Sequence, residues 1–169
     1  PPPKPSKLEL LRRAGKMAVL LAIAAFLWIS CLTFDPNDYP NPFCLPHNDP
    51  TANWCGPTGA WLSYHLFYYF GRGGWAILLF ATILSLMSAT RIKGGELVLR
   101  LAGMVLLVVV TSGVSTLLEV AGRSPLVGGS GGVVGLALVG YLEQYFFAFG
   151  TALFLMVGLA FGLILAADE

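Results

Sequence analysis

The sequence predicts an all-α integral membrane protein, with four transmembrane helices, two short interfacial or re-entrant helices and both termini in the cytoplasm. Three observations carry this. The 169 residues are 56% hydrophobic and 11% charged, with mean hydropathy +0.75, whereas soluble domains carry about 25% charged residues. Apolar runs suited to a bilayer core of ~20 residues lie at 17–34, within 75–90, at 97–118 and at 145–167. Basic residues favour the cytoplasmic side of a membrane, and here they are segregated. Lys4, Lys7, Arg12, Arg13 and Lys16 precede the first run, Arg91 and Lys93 stand between the second and third, and Arg100 is at the start of the third. Only Arg72 and Arg123 fall on the opposite side.

Taken in order, 1–16 is the end of a proline-rich linker and a basic cytoplasmic lead. The chain opens on Pro1 and not Met, which suggests an upstream segment. The first run has no small-x-small cleavage site after it, so it is read as a membrane helix and not a signal peptide. The membrane domain extends over 17–167, and 168–169 begin a second cytoplasmic linker.

Residues 35–57 form an external loop. It contains Pro36, Pro40, Pro42, Pro46, Pro50 and Pro57, so regular structure is not expected there. Of the three cysteines, Cys31 lies inside the first run and reads as a small buried hydrophobe. Cys44 and Cys55 share the loop, and in an oxidising compartment they are expected to form a disulfide. A metal site built from Cys44, His47, Asp49 and Cys55 is disfavoured, because it lacks a second clean ligand pair.

Residues 59–71 are too short to span and hold Trp61, Tyr64, Phe67, Tyr68, Tyr69 and Phe70. Such rings favour the membrane–water boundary, so this is the first short helix, ended by Gly71-Arg72-Gly73-Gly74. One long tilted helix over 58–90 is the competing reading. The halves also resemble each other. A shift of about 79 residues lays Arg12 on Arg91, Gly56 on Gly135 and Phe70-Gly71 on Phe149-Gly150. An internal two-fold repeat is therefore expected, with 127–140 leading into the second short helix.

Gly128-Gly129-Ser130-Gly131 is a G-x-S-G match of the kind that holds the nucleophile in rhomboid-type proteases. A serine nucleophile needs a base within hydrogen-bond reach. The two histidines, His47 and His65, both precede Ser130, and every lysine falls on the cytoplasmic side. A phosphate-binding loop needs G-x-x-x-x-G-K-[ST], and no lysine follows Lys93. The glycines are better explained by close helix contact. Gly131-x-x-x-Gly135 and Gly158-x-x-x-Gly162 are small-xxx-small pairs, and Gly59, Gly71, Gly103 and Gly150 complete the set expected at helix contacts.

A transporter or channel would place ionisable groups within its spans. Thr111, Ser112, Ser115 and Thr116 are the main polar run, and such hydroxyls bond their own helix backbone. Glu119 and Glu143 fall at helix boundaries, with Glu143 facing water or Arg123. A small stand-alone transporter or channel subunit is therefore the weaker alternative. No catalytic, cofactor or metal residue is assigned.

Leu32-Thr33-Phe34-Asp35-Pro36-Asn37-Asp38, Gly56-Pro57-Thr58-Gly59-Ala60-Trp61-Leu62, Leu99-Arg100-Leu101-Ala102-Gly103, Thr111-Ser112 and the run from Gly128 to Gly135 occur in a characteristic order. In these markers, from about Leu10 onward, the chain resembles the N-terminal four-helix membrane domain of FtsK/SpoIIIE-type DNA translocases. The resemblance implies a membrane anchor for a hexameric, ATP-driven DNA pump at the division septum of the inner membrane. It also implies self-association and contact with other division proteins. The motor, with its ATP, magnesium and DNA sites, would follow Glu169, so none of its residues is carried over. Cys44 and Cys55, and the polar Gly71-Arg72-Gly73-Gly74, depart from the family pattern.

Overall fold

A computed structural model describes residues 6–87, 94–119 and 128–167, with only the backbone for 94–97. All the described secondary structure is helical: α1 Lys7–Leu32, α2 Gly56–Phe70, α3 Gly73–Met87, α4 Gly94–Leu117 and α5 Gly132–Ala167. Arg91, Lys93 and Arg123 lie outside the described residues.

α1 begins ten residues before the apolar run, in the basic lead. Ser6-Lys7-Leu8-Glu9 explains why. The Ser6 hydroxyl accepts from the Glu9 N–H at 3.2 Å, and the Glu9 carboxylate accepts from the Ser6 N–H at 3.3 Å. This reciprocal box satisfies two amide donors that a helix start leaves free. Arg12, Arg13 and Lys16 thus stand on the first turns of the same helix that enters the membrane. At its other end the Thr33 hydroxyl donates to the Ile29 carbonyl, 2.7 Å. Asp35 then turns the chain by accepting from the Asn37 N–H, 2.8 Å.

The 33–55 segment has no regular helix or strand, yet it is tightly ordered around three buried polar side chains. Asp38, Asn41 and Asn53 are at most 3% exposed. The Asp38 carboxylate accepts from Asn48 Nδ2 (2.8 Å), the Ala52 N–H (2.9 Å) and the Asn53 N–H (3.0 Å). Asn41 Nδ2 donates to the Pro36 carbonyl at 2.6 Å, and His47 Nε2 donates to the Asn41 carbonyl at 2.9 Å. The Tyr39–Pro40, Leu45–Pro46 and Asp49–Pro50 peptides are cis. The prolines thus exclude regular structure while side-chain carbonyls and carboxylates supply the order.

The bend between α2 and α3 is 117°, so 58–90 is not one continuous helix. At 1.5 Å per residue each of these 15-residue helices is about 22 Å long. α3 returns along α1, where Trp28 Nε1 donates to Thr82 Oγ1 at 2.9 Å and the Ser85 hydroxyl lies 3.4 Å from the Leu20 carbonyl. Trp28 and Trp75 meet with ring centroids 5.9 Å apart. Cys31, Phe67 and Leu78 form the buried centre of this half.

In the other half α4 packs along α5 over their largest shared surface. Val110, Val139, Leu142 and Leu155 are its core. α5 is broken once, at Phe147, where φ is 52° and ψ is 177°. The segments before and after are about 22 Å and about 30 Å long at helical rise. Phe147 occupies backbone space that is essentially reserved for glycine and costs of order 1–3 kcal/mol. Thr151, one turn later, is fully buried, and among the described residues its hydroxyl has no partner. The carbonyl four positions back belongs to Phe147, which the break takes off the helical path.

α1, the 98–117 stretch of α4 and α5 are each long and apolar enough to cross a membrane, and the bent α2–α3 pair would make a fourth crossing. The role of Asp38 can be measured directly. Asp38→Ala leaves three donors unmatched, the buried Asn53 N–H among them, and thermal unfolding in detergent is expected to show a loss of about 2–3 kcal/mol. Asp38→Asn keeps one acceptor oxygen and is expected to lose less.

Candidate functional site

The α2–α3 elbow and the turn that leads into α5 do not lie apart. The α2–α3 elbow and the 128–132 turn meet on one face of α4, built from Ser112 and, one turn on, Thr116. The Ser112 hydroxyl lies 2.9 Å from its own-helix carbonyl at Val108 and 2.9 Å from the Phe70 carbonyl at the end of α2. Across the elbow the Arg72 N–H donates to the Ser130 carbonyl at 2.7 Å. The Ser130 N–H in turn donates to Glu119 Oε2 at 2.9 Å. Ser130 is 3% exposed and Ser112 is fully buried.

Glycine makes this crossing feasible. Gly71 has φ +53°, and a Cβ there would collide with the Ser130 carbonyl oxygen. Gly132 has φ +64°, and a Cβ there would press on Gly71 N and Tyr69. On α4 the Ser112 carbonyl and Thr116 side chain leave no room for a Cβ at Gly131 or Gly135. Gly73, read from the sequence as part of a helix end and not as a helix contact, sits against the Ser112 hydroxyl in the same way. Its advance signal was its place in the Gly71-Arg72-Gly73-Gly74 break at the head of the second apolar run.

The remaining glycines of the expected set also stand at contacts inside the chain. A Cβ at Gly59 would meet Cys55, Asn53 and Ser30. At Gly103 it would meet the α5 backbone at Ala166 (2.6 Å). At Gly158 it would meet Val110 (3.0 Å), and at Gly162 Leu107 (2.9 Å). Gly150 faces Phe146 of its own helix, 2.8 Å away. Both small-xxx-small pairs are thus occupied by α4 of the same chain.

Ser130 is not placed as a nucleophile. Its backbone bonds the elbow on one side and Glu119 on the other. His65 Nδ1 donates to the Trp61 carbonyl at 2.8 Å and His47 Nε2 to Asn41, so each histidine is engaged within its own segment. Among the described residues no three His, Cys, Asp or Glu side chains converge on one ion position. The hydroxyls of Thr111, Ser115 and Thr116 donate to carbonyls of α4 itself. Glu143 is exposed on α5.

Beside the crossing, α4 and the two arms of α5 enclose a groove of about 550 Å³, lined by residues such as Leu106, Val110, Leu138, Leu142 and Phe161. No lining side chain carries a charge or a hydrogen-bonding group, so the groove offers hydrocarbon contact and no ion coordination.

The expected disulfide is not formed. Cys31, Cys44 and Cys55 are all free. Cys55 stands at the start of α2 with Sγ 3.6 Å from the Phe26 carbonyl of α1. Cys44 is held by the Asn41 turn, Sγ 3.4 Å from Nδ2. Proximity in sequence suggested a pair, but the Asp38 and Asn41 networks direct the two sulfurs to different neighbours.

Two measurements follow from this geometry. Gly71→Ala combines a positive φ with a collision against backbone and is expected to lower stability by well over 1 kcal/mol. Gly140→Ala, whose Cβ would enter open space, is expected to gain about 0.5–1 kcal/mol from helix propensity. Thermal melts of the two variants beside the parent protein check both. Unfolded without reductant, Cys44 and Cys55 are both expected to take up an alkylating reagent, as read by mass. Two thiols blocked until reduction would contradict the free pair.

No curated protein and no solved structure matches the chain. The family model described as the 4TM region of DNA translocase FtsK/SpoIIIE matches residues 10–168. That region is a membrane domain and not the catalytic motor. With its long apolar helices and that match across nearly its whole length, the chain is a multi-pass membrane protein and belongs to the FtsK/SpoIIIE 4TM family.

Proposed function

We propose that the chain is the membrane anchor, oligomerisation and septal-targeting domain of an ATP-driven DNA translocase acting in chromosome segregation and cell division. The observation that carries this is the family match over 10–168. In this reading the domain sits in the bacterial cytoplasmic membrane with four crossings and both termini inside. α1 leaves the cytoplasm, α2 lies at the outer surface and α3 returns. α4 leaves again, and α5 runs along the outer boundary to its break at Phe147 before returning. Eight of the ten basic residues fall on the side assigned to the cytoplasm, which supports the orientation.

The two-fold repeat belongs to the same reading. Each half has a long helix, then a short helical arm, then a break and a second apolar arm. Self-association into the hexamer implied by the family uses faces other than the glycine pairs, because those pairs pack on α4 within the chain. ATP, magnesium and DNA engage the motor, which is not in this chain. Other division proteins are met through this domain.

A fluorescent fusion after Glu169 tests the assignment in dividing bacterial cells. The expected outcome is emission from a cytoplasm-facing reporter concentrated at mid-cell in constricting cells. An even distribution around the membrane would remove the targeting role. A reporter that is active only outside the cytoplasm would remove the orientation.

A further inference from the structure

The 35–57 loop is inverted relative to a solvated loop. Its polar residues Asp38, Asn41 and Asn53 are buried, while Trp54 is 83% exposed, Phe43 76% and Leu45 75%. Tyr39 is also exposed. The Asp38–Asn53 bond places the chain positions of Tyr39 and Trp54 beside one another. Side chains of this size turned outward from a hydrogen-bonded scaffold call for an apolar neighbour.

The height of Trp54 can be read from α1. Asn53 Nδ2 donates to the carbonyls of Ser30 (2.8 Å) and Thr33 (3.2 Å), and the Trp54 N–H donates to Thr33 Oγ1 at 3.2 Å. Cys55 reaches further back, to Phe26. Residues 53–55 are therefore laid along the last two turns of α1. From Lys16, the last basic residue, to Thr33 the helix rises about 26 Å. The hydrocarbon core is about 30 Å thick. Trp54 is thus tied to α1 at the far edge of that core, where an indole ring is most favourably placed. Charge does not draw the loop to the surface, since 35–71 contains no Lys or Arg.

We infer that the 35–57 loop is itself a membrane-attachment element. Trp54, with Tyr39, Phe43 and Leu45, seats in the outer-leaflet interface, at the glycerol and carbonyl level of zwitterionic lipid. This rests on the membrane reading given above. The loop lies down on the bilayer, so α1, the loop and α2 form one continuous surface in contact with lipid.

The test uses the purified protein in phosphatidylcholine vesicles whose acyl chains carry bromine near the carbonyl end, near the methyl end, or not at all. Trp54→Phe changes an exposed ring and leaves the scaffold bonds in place. The difference in emission between parent and variant reports Trp54 alone. The expected result is loss of most of the Trp54 emission with bromine near the carbonyl and a smaller loss with bromine near the methyl end. Equal Trp54 emission in brominated and plain lipid overturns the inference and leaves the loop to water or to a protein partner. The remaining Trp28, Trp61 and Trp75 of the variant report separately on the membrane reading. If they too are insensitive to bromine at either depth, the helices are not in the bilayer and that reading fails together with the inference.

Discussion

A peptide group left unbonded in hydrocarbon costs several kcal/mol, and every interruption of a membrane helix releases such groups. The α2–α3 elbow releases the Phe70 carbonyl and the Arg72 amide. Ser112 donates to the first, and the Ser130 carbonyl accepts from the second. Both partners come from the other half of the chain. The elbow is therefore stable only where α4 and the 128–132 turn are already in place. Glycine is required at Gly71 and Gly132 for the same reason, because the Ser130 carbonyl belongs to the backbone and the two chain segments must come within bonding distance.

The second interruption is solved less completely. At Phe147 the backbone takes a conformation that suits glycine, and the buried Thr151 hydroxyl beside it is unmatched among the described residues. The 79-residue shift lays Gly71 on Gly150. Gly150 is instead helical, and what it accommodates is the side chain of Phe146. A glycine can serve packing as well as turning, and its letter does not say which.

The same ambiguity marks what could be read in advance. The apolar runs located α1, α4 and the far arm of α5, since hydrocarbon length is written directly in composition. The glycine pairs at Gly131/Gly135 and Gly158/Gly162 were visible as candidates, but their occupant was not, because the motif is identical whether the facing helix belongs to this chain or to another. The Ser6–Glu9 box is present as S-x-x-E, but the basic stretch that follows it has no continuous apolar run to mark the helix start. The order in 35–57 was illegible for a different reason. It depends on Asp38 reaching Asn53 fifteen residues away, and no local period encodes such a contact. Cys44 and Cys55 share one external loop and a short separation, and that long-range network sends them to different neighbours.

The closure of both glycine pairs on α4 also determines how a neighbour would be met. The outward faces of α1 and α5 present Val19, Ile23, Phe26, Phe154, Val157 and Ile164. Helices that touch through branched and aromatic side chains stay about 8–10 Å apart, beyond the reach of backbone-to-backbone contact. No hydrogen bond has to break when such a seam slips by a turn, and an acyl chain can fill the gap that opens. Subunits joined this way would behave as a flexible palisade, able to change spacing and curvature while each one kept its own interior rigid.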